Sequence, residues 1–489
     1  MNRLWLLIFV VAFFFLVTAV QGCQSNSVVN EDAPTILTSD DYVEKAQSLA
    51  SKNQLDKAIV EYTNAIEKDA SNVHAYDGRG RVYFDLQQFD KSISDFTRVI
   101  ELAPKVYDGY FSRAITYFNM REYEKALVDF NAVIIIDPEN AVALEFRGRI
   151  NGVSGNTDAA INDLNAAIRL APTVISIYHY RAMAYYDAEE YDLALADFNY
   201  VILKSQGNEI DFQYRGRING ILKNTDAAID DFNTAIELAP SEFSIYSDRG
   251  VFYFDVEEYD LAFADFNQAI LLSPDNVFAL QFRGRVSAIL ENTDAALEDF
   301  NTAISLSPSN FELYIYRGLN YIKKEEYSKA KEDFTYLISL NHKSDFAYYK
   351  RAQIYAREKE YDMSISDYTH SIELNSNNYS VFFERALVYQ WTNQFSLSLD
   401  DFNKVIELNP DYLPTYNERA YVYIALGDYD LALASVNTAL SIEPDNSQYI
   451  DTRGDVYKAM QESVLMCSDY QAACDLGFDA SCTNLAENC

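Results

Sequence analysis

Residues 209–241 read EIDFQYRGRINGILKNTDAAIDDFNTAIELAPS, and the same skeleton returns 34 residues away in either direction. Its clearest mark is a proline near the end of each copy. The mark falls at Pro104, Pro138, Pro172, Pro240, Pro274, Pro308, Pro410 and Pro444, always 34 residues apart or a multiple of that. Where it is missing, at Gln206, His342 and Ser376, the copies otherwise match. A fixed period of this size is the signature of a stacked repeat. Within 209–241, Phe212, Gly216, Asn219 and Gly220 lie on a first helical run, and Lys223-Asn224-Thr225-Asp226 forms a polar turn. Ala228, Phe232, Ala235 and Leu238 then recur on one face of a second helix. Thr225 or Asp226 suits the N-cap of that helix, and Pro240 stops it.

On these residues the chain resembles the tetratricopeptide repeat. That family has a small residue at position 8, aromatics at 11 and 24, Ala at 20 and Pro at 32. Counted from Ser39, position 8 is Ala or Gly in every copy, from Ala46 through Gly216 to Gly454. Position 20 is Ala or Ser in the first twelve copies; the thirteenth has Met466 there but keeps Asp469-Tyr470 and Ala473 in register. The repeats start at 39, 73, 107, 141, 175, 209, 243, 277, 311, 345, 379, 413 and 447 and run to 480, about nine-tenths of the chain. The resemblance implies an all-α fold: a right-handed superhelical solenoid of about 13 helix-turn-helix repeats, closed by a C-terminal capping helix at 481–489.

The chain has 489 residues, 49% hydrophobic, enough for an extended core. Its net charge is −35, from 74 acidic against 39 basic residues. A nucleic-acid partner is therefore not expected, because phosphate backbones need a positive surface. Such a charge keeps a long repeat array solvated and self-repelling. The four histidines (His74, His179, His342, His370) are scattered, and no H-E-x-x-H, phosphate loop, dinucleotide fingerprint or G-x-S-x-G occurs. Neither an enzyme nor a cofactor is expected; an enzymatic role would need a site completed by a partner.

The first 22 residues read as a targeting segment: Asn2-Arg3, then an almost wholly apolar run from Leu4 to Val20. The run ends in Val20-Gln21-Gly22-Cys23, which resembles the lipobox of bacterial lipoproteins. That resemblance implies cleavage before Cys23, which becomes the acylated N-terminus. An uncleaved membrane anchor and a plain secretory signal are the other readings, and all three export the repeats. A lipid anchor would hold the protein at the cell envelope, at the outer membrane if the cell has two. Residues 23–38 read as a flexible tether.

Arg at position 7 and Asp at position 23 recur from the second repeat onward, with Ser435 the exception; the first repeat has Lys45 and Glu61. Both positions lie about eight residues from the turn, so they meet across antiparallel helices as a structural ion pair. A 68-residue period overlies the first: repeats 4, 6 and 8 share RGR and NTDAA, while repeats 3, 5 and 7 share EY and ADF-like second helices.

By the family resemblance, positions 2, 5, 9, 12 and 13 of the first helix face a concave groove. Position 9 there holds Arg81, Arg149, Arg217 and Arg285, and position 12 holds Phe118, Tyr186 and Phe254 in alternation with small residues. Arginine beside rings is typical of recognition surfaces, although Asp77 and Glu145 stand four residues before Arg81 and Arg149 and could pair with them. Phe346, Tyr349, Phe383 and Trp391 form a second candidate patch, suited to a peptide or helix. The Lys/Asn/Arg clamp by which some tetratricopeptide proteins grip a C-terminal carboxylate is missing at positions 5 and 9.

Four cysteines close the chain: Cys467, Cys474, Cys482 and Cys489. A hairpin folded at Phe478 brings Cys474 to Cys482 and Cys467 to Cys489, selecting this nested pairing among three. CDLGFDASC also resembles the cysteine-bridged hairpins of Sel1-like repeats, and an exported chain can oxidise its thiols. The gaps are poor for a tetrahedral zinc site. The expectation is a lipid-anchored scaffold that binds proteins or extended peptides and organises envelope complexes. A glycan-binding protein using the arginine and ring notches, and a purely structural spacer, are the alternatives.

Overall fold

The computed structural model describes residues 37–489. The targeting segment, Cys23 and the tether as far as residue 36 lie outside the described residues. Thr38 belongs to the first helix rather than to a free tether: its hydroxyl accepts from the Asp41 amide, and the Asp41 carboxylate accepts from the Thr38 amide in a capping box.

Among the described residues the regular structure is all helical, in 27 helices. Each repeat supplies two. In the sixth they are Glu209–Ile221 and Thr225–Leu238. The first helix opens on the first residue of its repeat except in the twelfth, where Pro414 takes the first helical position. Asn224 occupies the N-cap, one residue ahead of the expected Thr225, and makes no side-chain capping bond. The turn explains the shift. Lys223 adopts the left-handed conformation (φ 62°), its amide donates to the Gly220 carbonyl, and the Asn224 amide donates to the Asn219 carbonyl. These are the two bonds of a Schellman motif. The same left-handed residue recurs at position 15 of every repeat, and only Gly155 and Gly427 supply it without a side chain.

The core repeats with the sequence. Phe266, Phe300 and Phe334 at position 24 are fully buried, as are Ala262, Ala296 and Ala330 at position 20. Each ring presses on position 8 of the facing helix. A Cβ on Gly284 would stand 2.7 Å from the Phe300 ring, so the small residue sets how closely the two helices approach. Position 20 is serine in three repeats: Ser364 and Ser398 donate to the Ala352 and Ala386 carbonyls, both at 2.9 Å, whereas the Ser92 hydroxyl is buried without a hydrogen-bond partner. Burying one such ring is worth about 2–3 kcal/mol, and the period multiplies it.

The expected ion pair is present in eleven repeats, from Arg79–Asp95 to Arg453–Asp469, and Lys45–Glu61 stands in for it in the first. In the twelfth, Arg419 reaches Ser435 at 3.1 Å. The arginine does more than the spacing predicts. Its Nη1 donates to position 25 of the preceding repeat, as from Arg113 to Thr97 and from Arg317 to Asn301. One guanidinium thereby ties three helices.

The described chain divides into two compact units, one ending at Ser241 and the other beginning at Glu242, between the sixth and seventh repeats. Inside each, consecutive helices pack as antiparallel pairs and the pairs stack. The second unit closes on a helix at Asp479–Asn488, which opens two residues ahead of the expected 481 because Gly477 (φ 88°) ends the preceding segment and Phe478 is the N-cap. Disulfides Cys467–Cys489 and Cys474–Cys482 join this helix to Ser463–Asp475. Ser481, fully buried, donates to Asp451 of the thirteenth repeat.

Candidate functional site

Position 9 lies where first helices of successive repeats meet, so its neighbours come from three repeats. Arg149 shows what this produces. Its guanidinium carbon lies 4.9 Å from the Phe118 ring, 4.6 Å from Phe146 and 4.2 Å from Tyr180. Phe118 itself is only 5% exposed and packs edge-on against Phe146. The Arg149 Nε is buried without a hydrogen bond, so ring faces supply much of what holds the cation. Glu145 is buried beside it and accepts from Ser176 at 3.1 Å; burial pushes its carboxyl above the ordinary range, against the pull of Arg149.

Arg285 repeats the arrangement in the second unit, 4.6 Å from Phe254, 4.6 Å from Phe282 and 5.1 Å from Tyr316. Arg217 lies over Tyr214 at 4.9 Å, and Tyr186 meets the same ring edge-on. Arg81 pairs with Asp77 at 2.9 Å and is nearly half exposed. Arg149 and Arg285 therefore plug their notches instead of opening them. Neither presents a free guanidinium to an acidic glycan.

The second candidate patch is divided. Phe346 and Tyr349 are half-buried on either side of Lys350, whose ammonium lies 5.6 and 4.8 Å from their rings. Burial pushes the Tyr349 hydroxyl up to about 12. Phe383 packs within its own repeat, 5.8 Å from the Phe402 ring and edge-on to Tyr412 at 5.1 Å. Trp391 alone stays open, 54% exposed. It stands at a cavity of about 340 Å³ whose wall also includes Ile322, Tyr327, Gln353, Arg357 and Glu384.

The polar groups of this cavity are connected. Gln353 donates from Nε2 to the Tyr349 hydroxyl at 3.0 Å and toward Glu384 at 3.4 Å, and its Oε1 accepts from Lys350 at 3.1 Å. Arg357 lies 4.7 Å from the Tyr327 ring and 3.4 Å from Glu325. Burial raises the Glu384 carboxyl and lowers the Lys350 ammonium. Gln353, Glu384, Tyr327 and Arg357 escaped sequence reasoning. The signal was there: the series Arg81, Arg149, Arg217, Arg285 next falls on Gln353.

Among the described residues no group of His, Cys, Asp and Glu is arranged to hold a metal, and no helix is long and apolar enough to cross a membrane.

The fold and this cavity define a helical-repeat protein with a recess between first helices. Residues 73–106, 215–242, 243–276 and 347–378 match one model of the tetratricopeptide repeat, and residues 402–434 match another. The chain contains tetratricopeptide repeats. Similar solved structures include a tetratricopeptide repeat protein from Parabacteroides merdae (20% identity, 51% of this chain and 98% of that one, TM-score 0.40). YrrB, a TPR protein with an unusual peptide-binding site, is 21% identical over 38% of this chain and 95% of its own, with a TM-score of 0.35. Cut9–Hcn1 of the APC/C is 12% identical over 86% of this chain and 96% of the matched chain, with a TM-score of 0.41. No curated protein matches the chain.

Proposed function

We propose that the protein is an exported, lipid-anchored scaffold whose tetratricopeptide repeats bind a protein or an extended peptide and so organise complexes at the cell envelope. The observation that carries the binding is Trp391. An exposed indole beside a recess of about 340 Å³ is the kind of anchor on which protein interfaces concentrate their energy. Repeats built on one fixed core leave their other positions free to vary as surface, which suits recognition and offers no catalytic constellation. Export and anchoring rest on the apolar segment that ends in Cys23. The nested cysteine pairs at the C-terminus are consistent with an oxidising compartment.

The test uses the full chain as bait in detergent-solubilised membranes, beside Trp391→Ala. A protein recovered by the native chain and lost from the variant supports the scaffold. Polysaccharide recovered without protein would favour the glycan reading, and equal recovery of the same protein by both would move the site away from Trp391. Membrane fractionation of Cys23→Ser tests the anchor: release of the chain into the soluble fraction is the expected result.

A further inference from the structure

Positions 6, 9 and 12 build the same slot at successive junctions, and twice the chain shows what fills it. In repeats 4 and 8 a guanidinium from position 9 lies among rings from position 12 of the repeat before, position 6 of its own repeat and position 6 of the next. The even-numbered repeats from 2 to 8 all carry arginine at position 9, and repeat 10 carries Gln353. The corresponding walls there are Ile322, Lys350 and Glu384. Gln353 is shorter than arginine and its amide is spent on Tyr349, Glu384 and Lys350. Around it lies the cavity of about 340 Å³.

The change at position 6 of the following repeat points to the occupant. Where Arg149 and Arg285 meet a tyrosine ring, this slot presents the Glu384 carboxylate, and Trp391 adds an open aromatic face. The cations nearby are engaged: Arg357 with Tyr327 and Glu325, and Lys350 with Gln353 and the rings of Tyr349 and Phe346. A carboxylate and an aromatic face together suit a guanidinium, which stacks and forks at once, better than an ammonium. A chain of net charge −35 also draws basic segments toward itself.

We propose that the slot between repeats 9 and 11 takes an arginine side chain from a bound protein segment, the guanidinium lying against Trp391 with its N–H groups on Glu384. This deepens the scaffold reading and rests on it: what repeats 4 and 8 supply from within, repeat 10 receives from its partner.

The test uses the full chain with Trp5→Phe, which leaves Trp391 as its one tryptophan. The protein is titrated in detergent with acetyl-Ala-Arg-Ala-amide while indole fluorescence is followed; the Lys and Glu counterparts of the peptide serve as comparisons. A saturable change is expected with the Arg peptide, at least tenfold weaker with the other two. Gln353→Arg, which fills the slot as Arg149 and Arg285 fill theirs and keeps the fold, should weaken binding of the Arg peptide at least tenfold, and so should Glu384→Gln. No saturable change, an undiminished response in Gln353→Arg, or a preference for the Lys or Glu peptide would overturn the proposal. Because the readout is one side chain's ligand, its failure leaves protein capture by the repeats intact, whereas failure of the scaffold reading appears as loss of capture altogether.

Discussion

Arg351 takes both carboxylate oxygens of Asp367, Nε to Oδ2 at 2.7 Å and Nη2 to Oδ1 at 2.9 Å. Its Nη1 donates to Thr335 of the preceding repeat at 3.1 Å. The pair thus fixes the register of two helices within a repeat and of one repeat on the next. Removing the acid leaves a half-buried guanidinium without its counter-charge, which costs more than the net worth of the pair.

Asp367→Ala should destabilise the second unit by about 3 kcal/mol. Repeat 12 offers the converse. Arg419 faces Ser435, and burial lowers its pKa. Ser435→Asp should restore the two-pronged pair and stabilise the chain by about 1 kcal/mol. Denaturant midpoints of both variants check the signs, and destabilisation by Ser435→Asp would count against this role for the pair.

A ring-caged arginine and a solvent-exposed one should separate by environment. Arg149→Ala empties a three-ring cage and should cost about 2 kcal/mol, with partial recovery in Arg149→Lys. Arg98→Ala, which removes an exposed pair with Glu101 three residues on, should leave the denaturant midpoint nearly unchanged. Comparable losses from Arg149→Ala and Arg98→Ala would mean that the rings contribute little.

Several buried carboxyls set the pH dependence. Burial pushes Glu145, Glu384 and Glu418 above the ordinary glutamate value of 4.5, and Asp455 above the aspartate value of 3.8. A folded pKa above the unfolded one means that the native chain holds more protons between the two values. The contribution of these groups is therefore full below the ordinary value and is lost as pH rises through the raised one. Asp41, Asp69 and Glu326 shift downward but are exposed and count for little. Thermal melting should accordingly occur at higher temperature at pH 5 than at pH 8. A Glu145→Gln/Glu384→Gln double variant should narrow the gap, and an unchanged gap would assign the effect to the remaining charge.

Reduction should act locally. Cys467–Cys489 and Cys474–Cys482 tie down a ten-residue helix, Asp479–Asn488, in which Ser481 is the buried residue. So short a helix is marginal in water without its staples. With the bridges reduced, limited proteolysis should cut near Leu476–Phe478 while the earlier repeats stay intact, as mass spectrometry of the fragments would show. Protection of that segment after reduction would mean that packing alone holds the cap.

The sequence made the period, the helix pairs, the ion pair and the cysteine pairing legible because each is local or recurs at a fixed interval. Asn or Thr at position 25 recurs as faithfully as the arginine it binds, yet its partner lies in the next repeat and spacing within one repeat does not reveal it. The left-handed turn residue could not be read from side-chain type, since Lys223, Glu291 and Asn393 all adopt it. The ring cages were hidden for a related reason. Arg149 meets rings from repeats 3, 4 and 5, and a groove map drawn one repeat at a time counts each as open surface. The same blindness concealed the Gln353 recess, whose walls come from three repeats.

Photo-crosslinking at Trp391 tests the central claim most directly. With a benzophenone amino acid in place of Trp391, and in a second protein in place of exposed Val464, cells are irradiated before lysis. The account predicts a discrete protein adduct from position 391, mapping to a segment that contains arginine, and none from position 464. No polypeptide adduct at 391, or the same adducts from both positions, would contradict it.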